Sequence, residues 1–204
     1  FWCRADFFRA LPVCEWIMNQ KNLEAVDWSA ISAPIDDGSA NHLDGTLMPS
    51  VALPSTSGGH VVLGRLSGWS VLYFYPMTGR PDVPLPDGWD DIPGARGCTP
   101  QSCAFRDLSQ ELASKGVSAV YGISTQSTEY QQEAARRLHL PFPLLSDSEL
   151  KLTTALRLPT MEVNSQLLIR RLTLILYNTK VKRVFFPVFP PDRNAADVLK
   201  FLDT

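Results

Sequence analysis

The chain has no excess of charge of one sign, no long apolar run, and few of the residues that hold metals. Its 204 residues carry 19 Lys and Arg against 21 Asp and Glu, for a formal net charge of −2. No basic field is therefore present to hold nucleic acid or an anionic membrane surface. No apolar stretch approaches the roughly 20 residues that a membrane-spanning helix requires. Four cysteines are too few, and too unevenly spaced, for the disulfide framework of a small secreted domain. They also lack the paired Cys-x-x-Cys spacing of structural zinc, and the three histidines (His42, His60, His139) are scattered along the sequence. No metal and no other cofactor is expected.

What is present is ordinary for a globular protein: 45% hydrophobic and 20% charged residues, enough for one well-filled core with an appendage. Because the chain starts at Phe1 rather than Met, the question of an upstream targeting segment stays open, and cytoplasmic residence is the default expectation.

Two regions differ in pattern. In residues 1–42, Phe7, Phe8, Leu11, Cys14, Trp16 and Ile17 recur at roughly helical spacing, with Pro12 interrupting. This reads as a short helical arm leading into a polar loop through Asp36-Asp37-Gly38-Ser39. Residues 43–204 read as an alternating α/β domain. Val61–Leu63 is a short strand, and Trp69–Tyr75 is a near-continuous apolar run suited to a central strand buried on both faces. Pro76 ends it. Residues 77–97 form a long loop rich in Pro and Gly, with Trp89 a candidate lid, and a loop that long within a domain is usually functional. A helix is predicted over Cys98–Ser114, stopped at Gly116, with Cys103, Phe105, Leu108 and Leu112 facing inward. The spacing then predicts a strand over Val117–Ser124, a helix over Thr128–Leu138, a strand end at Pro143–Asp147, and a helix over Ser148–Leu156 capped by Ser148. Leu172–Tyr177 and Val181–Phe186 form a hairpin around Asn178-Thr179-Lys180, and Asn194–Leu202 closes the chain as a helix. This order is thioredoxin-like: an α/β fold with a central mixed β-sheet flanked by helices, preceded by the N-terminal extension.

Cys98 and Cys103 carry the chemistry, in Gly-Cys-Thr-Pro-Gln-Ser-Cys-Ala-Phe-Arg-Asp (Gly97–Asp107). The first sits at the positive end of the predicted helix, where a thiolate is stabilised, and the second lies one turn further in. An ordinary thiol is mostly protonated at neutral pH, and a helix N-terminus or a nearby cation such as Arg96 or Arg171 favours the reactive anion. Cys103, taken alone, also fits a buried core cysteine. Arg171, taken alone, fits a solvated strand residue, and Arg170 is an equal claimant. Cys3 and Cys14 read as apolar members of the arm.

From about Leu43 to Leu202, the sequence resembles the peroxiredoxins, and within them the bacterioferritin-comigratory or Q-type branch. The resemblance rests on five segments in order: Phe74-Tyr75-Pro76, Gly97-Cys98-Thr99 through Cys103-Ala-Phe-Arg-Asp107, Gly122-Ile-Ser124, Pro141-Phe-Pro-Leu-Leu-Ser-Asp147, and Arg171-Leu-Thr173. It implies that Cys98 is the peroxidatic cysteine, Cys103 the resolving cysteine, Arg171 the residue that holds the thiolate and polarises peroxide, and Pro76 a shield of the pocket. Backbone amides from Thr99 onward would serve the departing oxygen. The implied activity is thiol-dependent reduction of hydrogen peroxide or small organic hydroperoxides. Cys98 would pass through a sulfenic acid and then an internal disulfide, restored by thioredoxin or a similar dithiol reductant. A monomer or weak homodimer is expected.

The family's loop ordinarily reads Pro-x-x-x-Thr-x-x-Cys. Here the position three before Cys98 is Ala95, and Pro76 lies far upstream of the cysteine. Thr78 is a candidate for the missing hydroxyl. These departures leave room for a specialised redoxin that acts on a partner's thiols or a biosynthetic substrate with weak peroxidase activity. A non-enzymatic binding or sensor module is a further alternative.

Overall fold

In the computed structural model, which describes residues 26–204, a five-stranded mixed sheet runs through the domain in the order β5-β4-β3-β8-β9. Its centre is β3 (Trp69–Phe74), paired in parallel with β4 (Val117–Ser124) and antiparallel with β8 (Leu172–Tyr177). β5 (Leu144–Ser146) extends the parallel side, and β9 (Lys180–Phe185) closes the antiparallel side. The apolar run of β3 is buried on both faces, as its sequence requires. Val71, Tyr73 and Tyr75 face one cluster with Phe105, Leu112, Ala134 and Val198, while Leu72 and Phe74 face another with Leu152, Leu156 and Leu43.

The helices of the first face are α1 (Cys98–Asp107), α2 (Ser109–Ser114), α3 (Thr128–Arg137) and α5 (Asn194–Leu202); α4 (Lys151–Leu156) lies on the other. The single helix expected over 98–114 is thus two, joined at Leu108. Hydrogen bonds from the Leu108 N–H to Ala104 and from the Leu112 N–H to Leu108 carry the chain across the join. Gly116 ends α2 with φ +84°, as expected.

Two further corrections concern features the sequence pattern did not reveal. The helix expected to start at Ser148 begins at Lys151 with Leu150 in the N-cap position, and the side chain that serves its first amides is Asp147. That buried carboxylate accepts the Leu152 N–H (2.9 Å), the Thr153 N–H (2.8 Å) and the Thr153 hydroxyl (2.6 Å), whereas Ser148 is exposed. Two small hairpins were also unforeseen. One pairs β1 (Ala52–Pro54) with β2 (His60–Val62), leaving Leu63 to a 3₁₀ turn; the other pairs β6 (Thr160–Val163) with β7 (Gln166–Ile169). The β6–β7 turn puts Asn164 and Ser165 at positive φ, a geometry usually announced by glycine.

The helical arm expected over Phe7–Ile17 lies outside the described residues. Of the extension, residues 26–42 run across the domain and are fastened to it. Arg170 donates to Asp37 (2.6 Å), and the Trp28 indole N–H donates to Asp192 (2.7 Å). Arg170 therefore anchors the extension and is not shared with Cys98.

Asp147→Ala leaves two amides and a hydroxyl of α4 without acceptors, and should lower stability by about 2 kcal/mol in urea unfolding. Ser148→Ala should change it by at most about 0.5 kcal/mol.

Candidate active site

α1 begins where Gly97, at φ +104°, turns the chain out of the long loop. Among the described residues no side chain caps this end, so the first amides of the helix, at Cys98 and Thr99, are without a side-chain acceptor. Space at Gly97 is equally tight: a Cβ there would stand 2.6 Å from Pro191 Cγ and 2.7 Å from Trp28 Cη2. Trp28, edge-on to Phe189 (5.9 Å), and Pro191 thus press directly on the residue before Cys98.

Cys98 is 4% exposed and Arg171 3%. Arg171 Nη2 lies 3.2 Å from Cys98 Sγ, and also 3.0 Å from the Arg96 carbonyl, 3.1 Å from that of Ala95 and 3.3 Å from that of Gly94. As a thiol, Cys98 donates to the Ala95 carbonyl at 3.5 Å. The other end of the guanidinium, Nη1, donates to the Gln101 side-chain oxygen. Nε is buried without a partner. Among the described residues no carboxylate lies within ion-pair distance of Arg171. The other groups that Arg171 touches are neutral oxygens, and the Cys98 sulfur is the one contact among them able to carry a full charge.

Gln101 continues the network. Its amide donates to Asn194 (3.0 Å), which also accepts the Thr173 hydroxyl (2.7 Å). Gln101, Asn194 and Thr173 are all buried, so one chain of hydrogen bonds ties α1 to β8 and to the first turn of α5. The sequence reading missed Gln101 and Asn194. The available signal was spacing, since Gln101 lies three residues past Cys98 on the same helical face. Behind this layer, Tyr73 stacks on Phe105 (4.6 Å) and its hydroxyl donates to Ser102 (3.2 Å); burial keeps that phenol protonated, well above its ordinary range. Gly122 makes room for it, because a Cβ there would stand 2.5 Å from the Tyr73 hydroxyl.

Cys103 is buried one turn along α1 from Cys98, and both are thiols. In a regular helix, five residues at a rise of about 1.5 Å place their Cα atoms about 8 Å apart, beyond the roughly 7 Å limit of a disulfide.

Cys98 opens into a cavity of about 350 Å³ that Thr99, Arg96, Met77 and Trp89 also line. The Trp89 indole, the candidate lid, is buried in a local cluster with Ala95, Val163 and Leu168 and also lines the cavity. Two expected pocket residues stand elsewhere. Thr78 gives its hydroxyl to Gln126 (3.1 Å), which also accepts its N–H (2.9 Å) and donates back to its carbonyl, so it faces β4's end and not the cavity. Pro76 is buried just past β3 but does not line the cavity; the next residue, Met77, does. Among the described residues, no group of three or more His, Cys, Asp or Glu could hold a metal.

The sequence profile of the Redoxin family matches residues 43–199. The chain is similar to chloroplastic peroxiredoxin Q of Sedum lineare, 32% identical over 183 residues, covering 88% of this chain and 89% of that protein. It is 38% identical over 106 residues to a putative peroxiredoxin bcp of Coxiella burnetii, covering 52% of this chain and 60% of that one. Among solved structures, peroxidoxin BcpB from Mycobacterium tuberculosis superimposes with a TM-score of 0.64 at 27% identity, covering 78% of this chain and 96% of that one.

Gly97→Ala forces a side chain into φ +104° and against Pro191 and Trp28, and should lower unfolding stability by about 1–3 kcal/mol in urea.

Proposed function

We propose a specific chemistry on the premise that this chain belongs to the Redoxin family and is a thiol-dependent peroxidase of the peroxiredoxin Q and bcp kind. In this reading Cys98 is the peroxidatic cysteine and reduces hydrogen peroxide or small organic hydroperoxides. The observation that carries it is the 3.2 Å contact between Arg171 Nη2 and Cys98 Sγ at the floor of an open cavity. The thiolate attacks the terminal peroxide oxygen: the S–O bond forms, the O–O bond breaks, and sulfur is oxidised by two electrons to the sulfenic acid. The departing hydroxide or alkoxide takes up, through solvent, the proton that the Cys98 thiol released on ionising, leaving water or an alcohol. Arg171 and the amides from Thr99 onward stabilise charge on the leaving oxygen.

Cys103 then condenses with the sulfenic acid, releasing water and forming an internal disulfide. Because the two residues share α1, the first turn of that helix must unwind at each cycle. Pro100 sits in that turn, where its missing amide removes no hydrogen bond from the helix. Unwinding also carries Gln101 away from Arg171 and Asn194. A dithiol protein of the thioredoxin kind restores the pair. Both cysteines lie in one chain, so the cycle needs no second copy, which supports a monomer or weak homodimer. The alternative of a specialised redoxin with weak peroxidase activity is not favoured by relatives that bear peroxiredoxin names.

Replacing Cys98 with Ser should abolish peroxide consumption supported by thioredoxin. Replacing Cys103 with Ser should leave one peroxide-consuming turnover, after which mass spectrometry finds a dimedone adduct on Cys98. An adduct-free Cys103→Ser protein would remove Cys98 from its proposed role.

A further inference from the structure

The segment 77–97 and Ala95 are two departures from the family's loop, and the structure brings them together. Trp89 is 4% exposed and packs in one cluster with the Ala95 methyl, Val163, Leu168 and, at its edge, Met77. A threonine at 95 would set its hydroxyl among these apolar groups, where none of them could accept its hydrogen bond. The methyl of Ala95 is thus the side chain that lets the indole seat beside Cys98.

The cavity that results is about 350 Å³, within the range of sites that enclose whole organic ligands and far larger than a two-oxygen molecule needs. Most of its apolar wall comes from one segment, through Met77, Pro81, Leu85 and Trp89, with Val26 and Pro100 beside them. Three guanidiniums also reach it, and each already has a carboxylate. Arg80 pairs with Asp82 (2.7 Å), Arg96 with Asp90 (3.1 Å) and Arg137 with Glu133 (2.7 Å). Among the described residues the mouth is therefore charge-compensated, with no unmatched cation to reward an anionic substrate. Leu85 remains 44% exposed, an apolar side chain at the mouth that a ligand would cover.

We propose that segment 77–97 is a specificity element that selects uncharged organic hydroperoxides with a bulky apolar group, with Trp89 and Leu85 as the specificity-determining residues. The proposal rests on the role given to Cys98 above. The peroxide oxygen enters toward Cys98 and Arg171, and the apolar group lies against Trp89 and Leu85. The Cys98 thiolate takes the terminal OH, the O–O bond breaks, and the alkoxide leaves and is protonated through solvent to the alcohol. Hydrogen peroxide has no group to fill the wall, so it gains least.

The test is rapid-quench loss of the Cys98 thiol, counted by alkylation and mass spectrometry, after mixing reduced protein with cumene hydroperoxide or with hydrogen peroxide. The wild-type rate constant should be at least about tenfold higher for cumene hydroperoxide. Leu85→Ala, at an exposed position where folding is not at stake, should lower the ratio of the two constants by about fivefold to tenfold. Trp89→Ala should lower it further. A wild-type ratio near one, or a ratio that Leu85→Ala leaves unchanged, overturns the specificity proposal while Cys98 keeps its role. Reaction with neither peroxide faster than a simple thiol overturns the role of Cys98 itself, and this proposal with it.

Discussion

A buried guanidinium without a carboxylate is the constraint on which the rest of this site depends. Arg171 stands immediately before β8, at the entry to the sheet's antiparallel side, and is almost wholly removed from water. Its charge is met by three carbonyls of Gly94–Arg96, one amide oxygen of Gln101 and one sulfur. The carbonyls fix the end of the long loop; the sulfur is the only one of these partners that can take on full negative charge. Loop path, helix start and thiol chemistry are thus set by one side chain.

The resting arrangement is over-determined around this group. Gln101, Asn194 and Thr173 hold α1 to β8 and α5, Trp28 and Pro191 close on Gly97, and the Tyr73–Phe105 stack fixes the middle of α1 against β3. Such packing suits a thiolate that must meet peroxide in one orientation. It opposes the unwinding that a Cys98–Cys103 disulfide demands. In the proposed cycle the uncapped start of α1 would be where the structure yields, and condensation of the Cys98 sulfenic acid with the Cys103 thiol would drive the change.

Much of this was legible in the sequence, for physical reasons that differ from one element to the next. The uninterrupted apolar run of β3 is what a strand buried on both faces must look like, and the cysteine pair at a helix start has few other uses. The β8–β9 hairpin was visible in its two alternating runs. The β6–β7 hairpin was not, because its strands are four residues long and its turn uses Asn164-Ser165 in place of a glycine. Asp147 and Ser148 are equally good caps by residue type, and only the left-handed Leu150 that bends the chain back decides for the carboxylate. Thr78 failed as a hydroxyl donor to the cavity because Gln126, 48 residues away, claims it, and such long-range partners leave no local mark. The polar chain through Gln101 and Asn194, and the union of Trp89 with Ala95, are likewise tertiary facts.

The central claim is that Arg171 acts through its geometry as well as its charge, and Arg171→Lys tests it most directly. Lysine keeps the cation but cannot span Gln101, the three carbonyls and the sulfur together. With folding checked by its urea transition, the variant's second-order rate of Cys98 oxidation by hydrogen peroxide should fall by about 10²-fold or more. A rate within about threefold of the wild type would contradict the account, because charge alone would then suffice.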